Sequence, residues 1–268
     1  MEELLRGHVT ARPDFLSVVV PAYNEASRLA PTLSRIAEYL PCAFGSYEII
    51  VVDDGSTDDT AAVVRAAGLR LKGIRLMRYS RNRGKGYAVR TGCLASRGDL
   101  LLVSDADLST PIEEIEKLLP FIDSGFDVAI GSRAIPGADI AVRQSRVRET
   151  MGKTFNLLVR ALTIGGIKDT QCGFKLMKGG PGRELFSRCL IDGFAFDVEM
   201  LLLAKKAGCR IREVPIRWLN SPNSRVRLMR DPLCMLTELF RIRAYALWGR
   251  YERTAPVSGQ ISLKHPTA

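Results

Sequence analysis

The chain has 268 residues, 46% of them hydrophobic, 25% charged and 7% aromatic, with a formal net charge of +10 at pH 7. This length can bury a sizeable core and the composition is that of a folded protein, which excludes a disordered or collagen-like chain. The positive balance suggests an anionic partner (nucleic acid, acidic lipid headgroups or phosphorylated small molecules), with a solvated positive face as the alternative. The few aromatics show no basic–aromatic alternation and so do not form a single-strand stacking platform.

Residues Met1 to Asp14 read as a polar extension without the apolar core of a signal peptide. From Phe15 the chain alternates strand-like and helix-like segments. Strands are predicted at Phe15–Val20, Tyr47–Val52, Ile74–Tyr79, Asp99–Val103 and Asp127–Gly131. Helices are predicted near Ala26–Leu40, Asp58–Ala67, Gly86–Ser96 and Ile112–Ile122. Ser56-Thr57-Asp58-Asp59 supplies capping chemistry for the second helix, and Pro111 fits a first helical position after Thr110. Strands separated by helices of this length predict an α/β fold with a mostly parallel sheet covered on both faces.

Beyond Gly131 the pattern loosens. An arginine-rich loop spans Arg133 to Arg148, followed by a helical pattern over Val147–Ile164 and a short segment around Asp169–Met177. Helices near Gly182–Leu190 and Asp197–Ala207, a strand at Arg210–Leu219, a helix near Leu233–Arg250 and a tail over 252–268 complete the chain. With no repeat or low-complexity linker, residues 15–251 are expected to form one domain, its halves being 15–131 and 132–251.

No window reaches the roughly 18 consecutive apolar residues of a spanning helix. The last helix does carry a stripe of Leu233, Leu236, Phe240, Ala244, Leu247 and Trp248, with Arg230, Arg241, Arg243 and Arg250 nearby, which is the composition of an interfacial helix. A stripe of this kind also serves to pack a helix on its own domain. The six cysteines form no CxxC pair and no zinc-ligand spacing, which fits a reducing cytoplasm.

Chemistry concentrates where predicted strands end. Asp105-Ala106-Asp107 follows the apolar run Leu100–Val103, and two carboxylates one residue apart can present oxygens to one hard cation such as Mg²⁺ or Mn²⁺. Asp53-Asp54 ends another strand, where either carboxylate could accept from a base N–H or a ribose hydroxyl, or simply cap a turn. Pro21-Ala22-Tyr23-Asn24-Glu25 ends the first strand. Ligands of open parallel sheets bind beyond this carboxyl edge, so three loops converge on one site. Arg81-Asn82-Arg83-Gly84-Lys85-Gly86 is a basic glycine turn before a helix, where backbone N–H groups and Lys85 could meet phosphate or simply form a solvated helix start. It matches neither GxxxxGK[ST] nor GxGxxG, which removes the main support for kinase and dehydrogenase readings.

These motifs, with Gly131-Ser132-Arg133, occur in the order of the family 2 inverting glycosyltransferases. The chain most closely resembles the dolichyl-phosphate β-glucosyltransferase branch, through Asp169-Thr170-Gln171-Cys172-Gly173-Phe174-Lys175-Leu176 and Phe196-Asp197-Val198-Glu199. The resemblance covers about Phe15 to Tyr251. It implies a GT-A type, Rossmann-like fold with C-terminal amphipathic helices, a divalent metal cofactor (Mg²⁺ or Mn²⁺), and transfer of a sugar from a nucleotide donor, UDP-glucose, to a polyprenyl phosphate.

By the same resemblance Pro21, Tyr23, Glu25 and Asp53 hold the base and ribose, while Asp105 and Asp107 with Ser109 take the metal and diphosphate. Asp54, Lys85 and Ala106 complete the donor site, and Arg225 closes over the diphosphate. The Asn220-Ser221-Pro222-Asn223 stretch before Ser224-Arg225-Val226 departs from the more acidic, glycine-containing pattern of the family. Arg133 and Arg148 match arginines that grip the lipid phosphate. Asp107, Asp169 and Glu199 are the candidate catalytic carboxylates, the last two with helix caps and salt bridges as their alternative role. A polyprenyl acceptor implies peripheral contact with a membrane, expected on its cytoplasmic face, and the lack of the N-terminal anchor of eukaryotic relatives fits a prokaryotic-style peripheral enzyme. Nucleic acid is not an expected partner. A soluble acceptor, or an inactive anion-binding relative, is the alternative.

Overall fold

The structure, a computed structural model, describes residues 12–141, 159, 163, 165–219 and 230–252. Arg148, Arg225 and most of the expected Val147–Ile164 helix lie outside the described residues.

Seven strands form the central sheet: β1 (Arg12–Ala22), β2 (Phe44–Asp53), β3 (Ile74–Arg78), β4 (Leu100–Val103), β5 (Val128–Ser132), β7 (Lys175–Lys178) and β8 (Ile211–Pro215). Their spatial order is β3-β2-β1-β4-β7-β5-β8. A two-stranded ribbon pairs β6 (Asp139–Ile140) with β9 (Arg217–Trp218). All pairings in the large sheet are parallel except those of β7, which runs antiparallel between β4 and β5.

Period-2 alternation in β1 explains the two cores. Leu16, Val18 and Val20 face one side and pack with Leu29, Leu33, Ile36 and Leu40 of α1 (Ala26–Ala43), Val64 of α2 (Thr60–Gly68) and Leu118 of α4 (Ile115–Asp123). Val19 faces the other and packs with Ala88 and Val89 of α3 (Lys85–Ala95), Leu185 and Phe186 of α5 (Gly179–Arg188) and Met200 of α6 (Phe196–Lys206). A sheet buried on both faces needs apolar residues at every position of its central strands, and β4 reads Leu-Leu-Leu-Val accordingly. Each fully buried aliphatic side chain contributes about 1.5–3 kcal/mol relative to exposure.

Several element boundaries differ from the sequence reading. β1 begins at Arg12, inside the expected polar extension, because Arg12 is tied to Asp14 and to Asp123. The predicted Ile112–Ile122 helix opens instead as a 3₁₀ turn, Ile112–Glu114, before α4. Pro111 has ψ 144° and therefore stands outside the helix. The expected single strand at Arg210–Leu219 divides into β8 and β9, which belong to different sheets. The segment around Asp169–Met177, read only as short, contains a central strand of the sheet.

The antiparallel β7 matters for position. Parallel strands deliver their carboxyl ends to the ligand edge, whereas an antiparallel strand delivers the residues that precede it. Lys175 opposes Val103 and Ile130 in the register. The segment Asp169–Phe174 therefore arrives beside Asp105 and Arg133.

Last comes α7 (Arg230–Leu247). Among the described residues its buried side chains are Met235, Leu239 and Ile242, the last two packing with Val198 of α6. Phe240, Leu247 and the following Trp248 are 55%, 71% and 68% exposed. Phe240 and Leu247, both in the stripe read from sequence, thus belong to the outward face, and a different set of residues packs the helix.

A candidate active site at the carboxyl edge of the sheet

Asp53 and Asp54 end β2 side by side but do different things. Asp54 is clamped by the next loop: its carboxylate accepts from Asn82 Nδ2 (2.9 Å), Arg83 N (2.8 Å) and Gly84 N (2.9 Å). Burial raises its pKa against those hydrogen bonds. Asp53 is fully buried and accepts from Ser56 N at 2.8 Å through Oδ1. Its Oδ2 lies 3.1 Å from Arg78 Nε, yet without hydrogen-bond geometry, and has no hydrogen-bond partner among the described residues. A buried carboxylate oxygen with an ion-pair neighbour but no hydrogen bond keeps acceptor capacity for a ligand donor. Of the pair left open by the sequence, Asp54 is the structural one.

The amide cradle expected at the start of α3 is used internally. Arg83 and Gly84 give their N–H groups to Asp54, while Gly86 N and Tyr87 N donate to the carbonyls of Gly193 (3.2 Å) and Asp192 (3.1 Å). Gly84 has φ +106°, and a Cβ there would meet Asp192 O at 2.4 Å. The glycine turn serves close approach of two backbones rather than anion capture. What it delivers to the site is Lys85, whose Nζ lies 2.6 Å from Asp105 Oδ1.

Asp105-Ala106-Asp107 forms a tight turn in which Leu108 adopts φ +45°, an uncommon backbone for a leucine. Asp107 Oδ1 accepts from Ser109 N at 3.0 Å, and Thr32 Oγ1 donates to the Ala106 carbonyl at 2.8 Å. Ser109 itself is buried, and its carbonyl accepts from Leu219 N. The side chains of Asp105 and Asp107 are 35% and 20% exposed. Burial alone would raise the Asp105 pKa, but Lys85, Lys175 and Arg133 outweigh it and hold the carboxyl below its ordinary value. For Lys85, burial opposes the charge and Asp105 and Asp197 overcome it, so the ammonium persists.

Two adjacent carboxylates suit a hard divalent cation. No group of three or more His, Cys, Asp and Glu side chains capable of holding a metal occurs among the described residues. The fit is thus to an ion that takes two protein carboxylates and completes its sphere with ligand oxygens and water, as Mg²⁺ and Mn²⁺ do on diphosphates.

Arg133 and Asp169 meet in a two-pronged pair. Arg133 Nε and Nη2 donate to Oδ2 and Oδ1 of Asp169, both at 2.8 Å, and Arg133 N adds a third bond at 2.9 Å. Asp169 is 2% exposed, and although burial would raise its pKa, Arg133 keeps it below the usual carboxylate range. Glu213 supports the assembly by accepting from Asp169 N and Ser132 Oγ, each at 2.9 Å. The Trp218 ring lies 5.5 Å from the Arg133 guanidinium. Below them, Lys175 donates to the Cys172 carbonyl and to Asp197, a second buried ion pair.

Glu199 does not join this cluster. Its carboxylate is fully buried and accepts from Leu190 N (2.9 Å), Ile191 N (2.8 Å) and Tyr251 OH (2.8 Å). It staples the loop after α5 to Tyr251, beyond the last helix, the cap-like alternative to a catalytic role.

Pro21 and Ala22 end β1 buried, and Tyr23 follows at 40% exposure. Asn24 turns the chain with φ +55°, and its Oδ1 accepts from Thr57 N at 2.9 Å. Glu25 is held by Arg28 through bonds of 2.7 and 2.6 Å. The structure therefore gathers Tyr23, Glu25, Asp53, Lys85, Asp105, Asp107, Arg133 and Asp169 at one edge. Sequence reasoning missed Arg28, Thr32 and Glu213. The one signal for the first two was their i, i+4 spacing on α1, which puts them on one face.

A family model described as glycosyl transferase family 2 matches residues 17–183. A dolichyl-phosphate β-glucosyltransferase of Saccharomyces cerevisiae is 37% identical over 265 residues, 92% of this chain and 79% of that protein. Another, of Homo sapiens, is 36% identical over 255 residues, covering 89% and 78%. Among solved structures, mannosyl-3-phosphoglycerate synthase of Rubrobacter xylanophilus superposes with TM-score 0.65 at 24% identity, covering 95% of this chain and 78% of that one. A glucosyl-3-phosphoglycerate synthase of Mycobacterium tuberculosis, solved with Mn²⁺, UDP-glucose and phosphoglyceric acid, gives 0.62 at 21% identity, covering 89% and 80%.

Proposed function

We propose that this chain, which belongs to glycosyl transferase family 2 and is a glycosyltransferase, moves glucose from UDP-glucose to a dolichyl-type polyprenyl phosphate with the help of a divalent metal. The observation that carries this reading is the pairing of two half-sites at one sheet edge. One is the acidic Asp105–Asp107 turn with Lys85, and the other is Arg133 presented by Asp169. Identities of 36–38% to dolichyl-phosphate β-glucosyltransferases support the acceptor, and the UDP-glucose and Mn²⁺ in the fold neighbour's complex support the donor and the ion.

On this reading Tyr23, Glu25 and the open Oδ2 of Asp53 bind the nucleoside, with Pro21 and Asp54 shaping the pocket. Asp105 and Asp107 hold the ion, which when bound offsets charge on the departing diphosphate. Lys85 adds a second cation on the same side, and Ala106 and Ser109 set the turn. Arg225, outside the described residues, is assigned to the diphosphate on resemblance, as is Arg148 to the acceptor.

The acceptor half needs charge more than it needs a base. A phosphate monoester has its second pKa near 6 and is already largely dianionic at neutral pH. Its oxygen attacks the anomeric carbon as the bond to the diphosphate breaks, and a single displacement inverts the α-linked donor to a β-linked product. The enzyme's task is to hold two like-charged molecules in line. Arg133 uses Nε and one Nη on Asp169, so its other Nη lies outside the fork and is assigned to the phosphate. Asp169 is then a positioning residue, and Glu199 a structural one.

A lipid acceptor brings the protein to a bilayer. Among the described residues no helix is long and apolar enough to cross one. The outward Phe240, Leu247 and Trp248, beside exposed Arg241, Arg243 and Arg250, are assigned to the surface of the membrane, on its cytoplasmic face.

The test is transfer of labelled glucose from UDP-glucose, with Mn²⁺ present, into an organic-extractable product that releases glucose on mild acid treatment. Label that appears only in a water-soluble glucosylated phosphate would overturn the lipid assignment and leave the glycosyltransferase intact.

A further inference from the structure

We infer that Arg28 is a positioning residue that links the nucleoside pocket to the metal turn and strengthens the dependence of divalent-ion binding on the nucleotide. The inference rests on the metal and donor assignments above. Arg28 stands on the first turn of α1, one turn before Thr32, and both reach the Asp105-Ala106-Asp107 turn. Thr32 Oγ1 holds the Ala106 carbonyl at 2.8 Å, and Arg28 Nη1 lies 3.6 Å from Asp107 Oδ2. The same guanidinium grips Glu25 through Nε and Nη2 at 2.7 and 2.6 Å. One rigid fork thus touches a residue assigned to the nucleoside and one assigned to the ion. Its side chain is 15% exposed, and beside it opens a 330 Å³ recess lined by Ser27, Arg28, Pro31, Thr32, Asp107 and Leu108.

The consequence is electrostatic. A positive charge 3.6 Å from Asp107 opposes a divalent ion at that carboxylate, so the turn is a poor metal site by itself. Bound diphosphate adds negative charge that favours both cations, and nucleoside contacts at Glu25 hold the fork in place. Metal and nucleotide then bind with positive coupling, which linkage makes reciprocal.

The experiment measures Mn²⁺ affinity by titration calorimetry, with and without saturating UDP, for the whole chain, for Arg28→Gln and for Arg28→Lys. For the unaltered protein UDP should tighten Mn²⁺ binding by about tenfold or more, within the usual range of coupling. Arg28→Gln should bind Mn²⁺ alone several-fold tighter, and UDP, whose diphosphate oxygens still ligate the ion, should tighten it by a correspondingly smaller factor than in the unaltered protein. Arg28→Lys keeps the charge but loses the fork, so Mn²⁺ alone should bind as weakly as in the unaltered protein, with weaker UDP binding. Unchanged or weaker Mn²⁺ binding in Arg28→Gln, in a variant whose thermal transition shows it folded, overturns the inference. Should that variant not fold, Arg28→Lys decides it, because tighter Mn²⁺ binding there is equally fatal. An unaltered protein that binds no UDP with Mn²⁺ would instead overturn the donor assignment.

Discussion

The carboxylate of Asp105 rests on the Cα of Gly173: a Cβ added to Gly173 would come 2.1 Å from Oδ2 and 2.5 Å from both Cγ and Oδ1. The two residues are 68 positions apart, and the antiparallel course of β7 brings them together. Gly173→Ala must push Asp105 aside, and a displacement near 1 Å at a reacting site costs about 10²-fold in rate. We expect glucosyl transfer to fall by about that factor while the thermal transition moves by only a few degrees. Activity within about twofold of the unaltered protein would mean that Asp105 does not hold the reacting groups.

Asp107→Ala tests the ion more directly. A ligand that binds only the folded state raises the transition temperature by mass action. In a thermal-shift series with UDP-glucose, the unaltered protein should gain a Mn²⁺-dependent increment that Asp107→Ala lacks. An increment of equal size in the variant would remove Asp107 from the metal assignment.

The Arg133–Asp169 pair predicts a pH dependence. Asp169 is held below its unfolded pKa of about 3.9, so its contribution to stability is full above that pH and lost as pH falls through the folded value. Asp169→Asn should destabilise the protein at neutral pH by on the order of 3 kcal/mol, because Arg133 loses its partner. The difference from the unaltered protein should shrink below about pH 4, as denaturant midpoints measured between pH 3 and 7 would reveal. A difference that stays constant across that range would mean that Asp169 is not ionised in the folded protein.

Tyr251→Phe separates structure from chemistry at Glu199. Losing one buried hydrogen bond should cost about 1 kcal/mol of stability, read from urea unfolding. The kcat of transfer should stay within about twofold, since the Glu199 staple still holds Leu190 and Ile191. A kcat loss near the stability-independent 10²-fold of a misplaced catalytic group would return Glu199 to the reacting centre.

The outward face of α7 predicts binding to anionic vesicles. Phe240, Leu247 and Trp248 are more than half exposed, so replacing all three by Ser should leave the fold intact. Sedimentation with phosphatidylglycerol vesicles should pellet the unaltered protein and leave the triple variant in solution. Equal pelleting of both would place the membrane contact elsewhere.

The gathering of these candidate residues at one edge was legible in the sequence, for a local reason. Val18–Val20, Ile49–Val52 and Leu100–Val103 are runs of β-branched and aliphatic residues, and whatever follows such a run in a parallel sheet is carried to the ligand edge. Strand order along the chain alone therefore places Tyr23, Asp53 and Asp105 at one edge. The strand at Lys175–Lys178 was not legible, because four residues with lysine at each end carry no apolar period, and their burial comes from the strands on either side.

The sequence by itself determined the fold class, the edge that holds the site and the residue types available there. Spacing cannot tell what each side chain is paired with, since those partners lie far apart in the chain. Only the tertiary structure gave Asp54 to the Asn82–Gly84 loop 28 to 30 positions away, Asp169 to Arg133 across 36 and Glu199 to Tyr251 across 52. A buried carboxylate must find hydrogen bonds wherever the fold brings donors, and those donors decide which acids are left for a ligand.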